Sequence, residues 1–255
     1  MRYVRAGHGP TLVLIHGYGE SLMSWRAVFD LLAPRADVIA IDLPGFGLSS
    51  KPATGYATDS LAADVLRALD ALGVRRAVVA GHSLGGAVAV AAALMDTARI
   101  QGLVLIDAAV VGTPAAVSES RDASRTGSAT GTAITEYEAV RTRFAAPHDP
   151  HWLAESDSAA LYVPADDPRY RGALAAVLRE FDFAYLTADR AARLTLPTLI
   201  VWGEYDEVFP LAAGQALAAA LPGSRLKVVS RAWHRPHVER PAETADAIAR
   251  FVTGR

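Results

Sequence analysis

The residues of this 255-residue chain best placed to do chemistry are one serine, a short acidic run and two histidines. Ser83 stands in "VVAGHSLGGAVAV" (78–90), where small apolar residues are broken by His82 and Ser83 and by Gly81, Gly85 and Gly86. A serine hydroxyl at its free pKa is a poor nucleophile. It needs a base to take its proton, and the base needs an acid to orient it. Both types occur later, each just after an apolar run. Glu204-Tyr205-Asp206-Glu207 follows "PTLIVWG" (197–203), and His234 and His237 follow "RLKVVS" (225–230). The chemistry this constellation could perform is acyl transfer, with serine, acid and histidine in that chain order.

Those residues must be carried by elements that bring them together. Short apolar, β-branched runs at 11–17, 37–45, 76–81, 102–109, 197–203 and 225–230 read as strands of a parallel sheet covered on both faces. Between them, 23–33, 59–72, 84–95, 211–221 and 241–252 read as helices. In the second, Leu61, Val65, Leu69 and Leu72 share a face ahead of Gly73, and Pro241 suits the first turn of the last. The alternation predicts a doubly wound, mostly parallel α/β sheet. A strand ending at Gly81 and a helix starting near Leu84 leave Ser83 on a sharp turn, in the pattern G-x-S-x-G. The flanking glycines avoid collisions with neighbouring backbone, and the hydroxyl projects at the C-terminal rim of the sheet. The amides that follow open a helix, where an oxyanion is stabilised.

From about 110 to 193 the rhythm breaks. A polar, low-complexity stretch (118–133), expected to be mobile, precedes amphipathic pieces bearing Tyr137, Phe144, Trp152, Tyr162, Tyr170, Phe181, Phe183 and Tyr185. The expectation is a core domain of 1–110 and 194–255 with a helical cap inserted at 111–193. Trp152, Phe181 and Tyr185 are candidates to line an apolar acyl pocket, or else they form the cap's own packing.

Composition narrows the function further. The chain is 51% hydrophobic and 20% charged with a net charge of −2, so neither nucleic acid nor an anionic membrane is an expected partner. The absence of cysteine excludes disulfides, thiolate nucleophiles and cysteine-based zinc sites. His8, His148 and His151 have no metal-ligand spacing, and no metal or organic cofactor is expected. "MRYVRAGHGPTLVLIHG" has no signal-peptide apolar segment, and 77–95 makes a poor membrane span, so a cytoplasmic location is expected.

Five ordered stretches, "HGYG" (16–19), "DLPGFGLSS" (42–50), "GHSLGG" (81–86), "WGEYDEVFP" (202–210) and "HRPHVERP" (234–241), resemble the α/β-hydrolase family, in the serine-hydrolase group that includes small carboxylesterases. The resemblance spans nearly the whole chain apart from the cap. It implies Ser83 as nucleophile, Asp206 as acid and His234 as base, with Asp107 a rival acid position and His237 a rival base. It also implies backbone oxyanion donors at Tyr18 and Leu84, packing roles for His16 and His82, and a loop shaped by Asp42, Pro44, Gly45 and Gly47. The residue before the base is usually glycine in the family and is Trp233 here. Two antiparallel strands usually precede "TLVLIHG", whereas only "RYVRAG" (2–7) is available, so a sheet of about seven strands is expected. The implied activity is hydrolysis of short to medium acyl esters through an acyl-enzyme, rising as pH passes roughly 6 to 7. Carbon–carbon bond hydrolysis, cofactor-free perhydrolase or haloperoxidase chemistry, and a small-molecule receptor with a retained triad are the alternatives. Monomer and homodimer both stay open.

Overall fold

A computed structural model describes residues 1–112 and 167–254. Seven strands form one sheet: β1 (Tyr3–Ala6), β2 (Thr11–Ile15), β3 (Asp37–Ile41), β4 (Ala77–His82), β5 (Ile100–Ile106), β6 (Thr198–Gly203) and β7 (Arg225–Val229). Their spatial order is β1-β3-β2-β4-β5-β6-β7. Only β1 runs antiparallel, against β3. The other neighbours are parallel, as the continuous apolar runs predict; β3 and β6 are buried at every position. Strand order reverses between β2 and β4, and ligands of open α/β sheets bind outside the carboxyl ends of strands at such a switch point.

Alternate strand residues divide the core between the two faces. Val13 and Ile15 pack with helices α2 (Thr58–Ala71), α3 (Leu84–Met95) and α6 (Leu211–Ala220). Leu12 and Leu14 pack on the other face with Trp25, with Val28 of α1 (Arg26–Leu32) and with Ile248 of α8 (Pro241–Thr253). Helix α3 is buried from Leu84 through Ala93, because residues this small let it lie close against the sheet. This clamps the segment that begins at Ser83.

The strands read at 37–45 and 102–109 end earlier than those bounds, at Ile41 and Ile106. After β3 the Asp42 carboxylate accepts the amides of Leu22 (2.7 Å) and Leu48 (2.8 Å), which turns the chain out of the sheet. After β5, Asp107 adopts φ 41°, a left-handed conformation that ends the strand. "RYVRAG" supplies a single antiparallel edge strand with all four residues exposed. A short helix α7 (Pro236–Glu239), which periodicity does not predict, stands just before α8.

Trp152, the 118–133 stretch and most of the expected cap lie outside the described residues. Two helices of that segment are described, α4 (Pro168–Glu180), capped by Asp167, and α5 (Ala188–Arg193). Tyr170, Leu174 and Val177 of α4 join the core that contains Leu84 and Tyr56. No helix among the described residues is long and apolar enough to cross a membrane.

Candidate active site

Ser83 is held at φ 49° and ψ −117°. A non-glycine residue there carries of order 1–3 kcal/mol of strain and persists only where the surroundings over-determine it. They do so here. The Ser83 amide donates to the Ile106 carbonyl (3.0 Å), and the Ser83 carbonyl accepts the amides of Gly86 and Ala109 (both 2.9 Å). A Cβ on Gly81 would collide with the backbone of Gly85, and one on Gly85 with the carbonyls of Ile15 and His16. The two glycines thus let the elbow close on itself and sit directly on the end of β2.

That contact sets the elbow beside the loop carrying Tyr18. His16 donates from Nδ1 to the Gly17 carbonyl (2.8 Å) and accepts the Leu43 amide at Nε2 (3.1 Å). Burial pushes His16 below the usual histidine range, in keeping with a neutral, loop-fixing ring. The Tyr18 hydroxyl donates to the Leu174 carbonyl (3.3 Å), and the Tyr170 hydroxyl donates to the Gly19 carbonyl (3.2 Å), so α4 is fastened onto this loop.

Asp206 follows β6 and His234 follows β7, and the fold brings them together. Asp206 Oδ2 lies 2.9 Å from His234 Nδ1. Asp206 Oδ1 accepts the amides of Val208 (2.8 Å) and Phe209 (3.1 Å), which fixes the carboxylate's orientation. A carboxylate only accepts, so Nδ1 carries the proton and Nε2 is left as the basic nitrogen. Burial alone would raise Asp206. The charge and hydrogen bond of His234, with the hydrogen bond from the Phe209 amide, reverse this and hold it below the ordinary aspartate value.

The other candidates fall elsewhere. Both ring nitrogens of His237 are buried without a hydrogen-bond partner, and its ring lies against Trp25 (4.4 Å) and His82 (4.5 Å). Burial pushes His237 well below the usual histidine range. Glu204 accepts the Arg231 amide (2.9 Å), and Glu207 is exposed. The Trp233 ring stands edge-on to Tyr205 (5.5 Å), and its amide donates to Glu239, which also accepts the Arg235 amide (3.2 Å). Glu239, read from the sequence only as part of a motif, therefore braces the loop that carries His234. Phe181 is fully buried against Phe183 (4.8 Å). The Tyr185 hydroxyl donates to Asp59 and its ring is covered by Arg190 (3.9 Å), so these two rings sit in the seam between α2 and the 181–190 segment.

Asp107 lies under the pair. Its Oδ1 accepts the Gly203 amide (2.9 Å), its Oδ2 is buried without a partner, and its carboxyl is within 4.8 Å of Asp206 and His234. Burial, then the charge of Asp206, raise Asp107 well above the ordinary aspartate value. An acid whose folded pKa is raised binds its proton more tightly folded than unfolded. Stability therefore falls as pH rises from about 4 towards the folded value. Asp107→Asn keeps an acceptor for Gly203 and supplies two N–H donors without that penalty. The variant is expected to melt higher than wild type at pH 8 by a margin that shrinks towards pH 4, as thermal denaturation across that range would record.

Glu20 was not singled out by sequence reasoning. Its one trace is its place three residues after Gly17, whose amide it accepts (3.0 Å).

A family model of the α/β hydrolase fold matches residues 10–241. The chain belongs to the α/β-hydrolase family. Among its relatives, an uncharacterised hydrolase of Bacillus subtilis, YugF, is 30% identical over 95% of this chain and 89% of its own length. The 2-hydroxymuconate semialdehyde hydrolase of a Pseudomonas species is 30% identical over 97% of this chain and 88% of its own. Similar solved α/β-hydrolase structures include Est816, described as an N-acyl homoserine lactone degrading enzyme (30% identity, TM-score 0.77, covering 97% of this chain and 95% of that one). The enol-lactonase of Burkholderia xenovorans is another (26% identity, TM-score 0.79, covering 99% and 96%).

Proposed function

We propose that this α/β hydrolase is a serine hydrolase cleaving carboxylic esters of short to medium acyl chain. The observation that carries the reading is the buried 2.9 Å contact of His234 Nδ1 with an oriented Asp206, on the same sheet rim as a serine held at φ 49°. Ser83 Oγ attacks the ester carbonyl while His234 Nε2 takes its proton. The tetrahedral oxyanion is met by the amides of Tyr18 and Leu84. His234 then protonates the departing alcohol, and water activated by the same nitrogen releases the acid from Ser83. No step calls for a metal or an organic cofactor. The lactone-degrading and lactonase descriptions of the two similar structures support ester chemistry.

A second reading, carbon–carbon bond hydrolysis of a vinylogous diketone, is favoured by the 30% identity to the semialdehyde hydrolase. One panel separates the two: p-nitrophenyl acetate and butyrate, longer esters, a lactone, and a ring-cleavage diketone. Turnover of the short esters at least about tenfold faster than the diketone is expected, as befits a difference in transition-state binding of about 1.4 kcal/mol. A preference for the diketone, or a maximum above about sixteen acyl carbons, would overturn the reading.

A further inference from the structure

We propose that Glu20 and His82 form a buried clasp that holds the oxyanion loop, the nucleophile elbow and the base loop in register, acting as positioning residues through the main chains of Gly17 and His234. This rests on the functional reading above and deepens it.

His82 is the last residue of β4, directly before Ser83, and its side chain is 1% exposed. Its Nδ1 lies 3.2 Å from Glu20 Oε2, and its Nε2 lies 2.8 Å from the His234 carbonyl oxygen. Each ring nitrogen thus faces an acceptor, one on the oxyanion loop and one on the base loop. Glu20 Oε2 also accepts the Gly17 amide at 3.0 Å, and Glu20 Oε1 is 3.9 Å from the buried Arg235 guanidinium. One carboxylate and one ring therefore touch three chain segments far apart in sequence: 17–20, 82 and 234–235.

The electrostatics agree with the geometry. Burial alone would raise Glu20, but His82, with Arg235, outweighs it and holds this carboxyl well below the usual range. The fit is close: a Cβ on Gly17 would come within 2.8 Å of His82 Nδ1 and 3.3 Å of Glu20 Oε2. His237 walls off the other face of the ring at 4.5 Å, with Trp25 behind it. The ligand atoms of Glu20, His82 and His237 lie within 4.8 Å of one another, but this is not a cation site. Both His82 nitrogens are already engaged, by Glu20 and by the His234 carbonyl, and the Arg235 cation stands beside the carboxylate.

The consequence is kinetic. His234 meets Asp206 through its side chain, but the position from which that side chain starts is set by its backbone, whose carbonyl is held by His82. A displacement of about 1 Å at such a site costs on the order of 100-fold in rate.

Two substitutions differing by one methylene test this. His82→Gln sets an amide N–H where Nε2 stood and keeps a donor for the His234 carbonyl. His82→Asn keeps a donor towards Glu20 but is too short to reach His234. Both remove the ring equally. On p-nitrophenyl butyrate, His82→Asn is expected to lower kcat about 100-fold with little change in KM, and His82→Gln to recover most of that loss. Amide hydrogen exchange reads the clasp without turnover. Residues 231–240 are expected to exchange faster in His82→Asn than in His82→Gln, with β4, β5 and β6 unchanged in both. Equal kcat together with equal exchange in the two variants would overturn the clasp. So would a loss seen only in KM, or faster exchange spread evenly over the sheet. A wild-type protein inactive on every ester overturns the functional reading instead, and the exchange comparison then decides the clasp by itself.

Discussion

Ser83→Ala is expected to lower kcat on a short-chain nitrophenyl ester roughly a million-fold, the scale seen when the nucleophile of a serine protease is removed. The argument is that nothing nearby replaces the hydroxyl. The described residues include no cysteine. Asp206 braces His234 through Nδ1, and in the proposed mechanism Nε2 accepts the serine proton. The substitution leaves the fold intact. Alanine has the same backbone preferences as serine at φ 49°, and the three main-chain hydrogen bonds of residue 83 do not involve Oγ. Burst kinetics on wild type, steady-state rates on the variant and a thermal melt on each check this. A variant that keeps even a hundredth of wild-type turnover while melting normally would remove Ser83 from the chemistry.

Asp206→Asn is expected to cost about 10,000-fold in kcat with KM little altered, and the reason lies in the amides on the far side of the carboxylate. Val208 and Phe209 both donate to Oδ1. In asparagine only the oxygen can accept those two bonds, so the NH2 group takes the Oδ2 position and points at His234 Nδ1. The imidazole then accepts at Nδ1 and carries its proton on Nε2, the nitrogen that must receive the proton of Ser83. Asp107 makes the experiment sharper, because it is a second acid within 4.8 Å of the same histidine. If Asp107 orients the base, Asp206→Asn keeps substantial activity that vanishes in the Asp206→Asn, Asp107→Asn double variant. If Asp206 does so, as its shorter contact indicates, the double variant is no worse than Asp206→Asn.

Much of this architecture is legible in the chain because it is governed by local rules. Strands buried on both faces have no polar face to alternate with, so they appear as apolar runs, and five of the seven are legible that way; β7, with Arg225 exposed and Lys227 in its middle, is legible only from its place at the end of the alternation. The elbow is legible for a steric reason, since only glycine at 81 and 85 lets a strand fold straight back into a helix against β2. Boundaries were less legible. Strands β3 and β5 end at Ile41 and Ile106, short of the bounds 45 and 109 read from the sequence, because Asp42 captures distant amides and Asp107 turns left-handed.

Local pattern is enough to read a doubly wound sheet with a serine elbow at its rim, and it narrows the candidate acid and base to a few neighbours. The tertiary structure decided which of them meet. His234 faces Asp206 while His237, three residues on, is sealed in the core beside Trp25. It decided that Asp107 sits beneath Asp206 with a raised pKa, that Phe181 and Tyr185 lie in a seam, and that Glu20 reaches His82 and the Arg235 loop. The physical reason is range. Backbone sterics and burial periodicity act within one element and leave a mark at fixed spacing. The orientation of a carboxylate or an imidazole depends instead on donors and acceptors contributed by segments tens to hundreds of residues away, and only the folded chain brings those together.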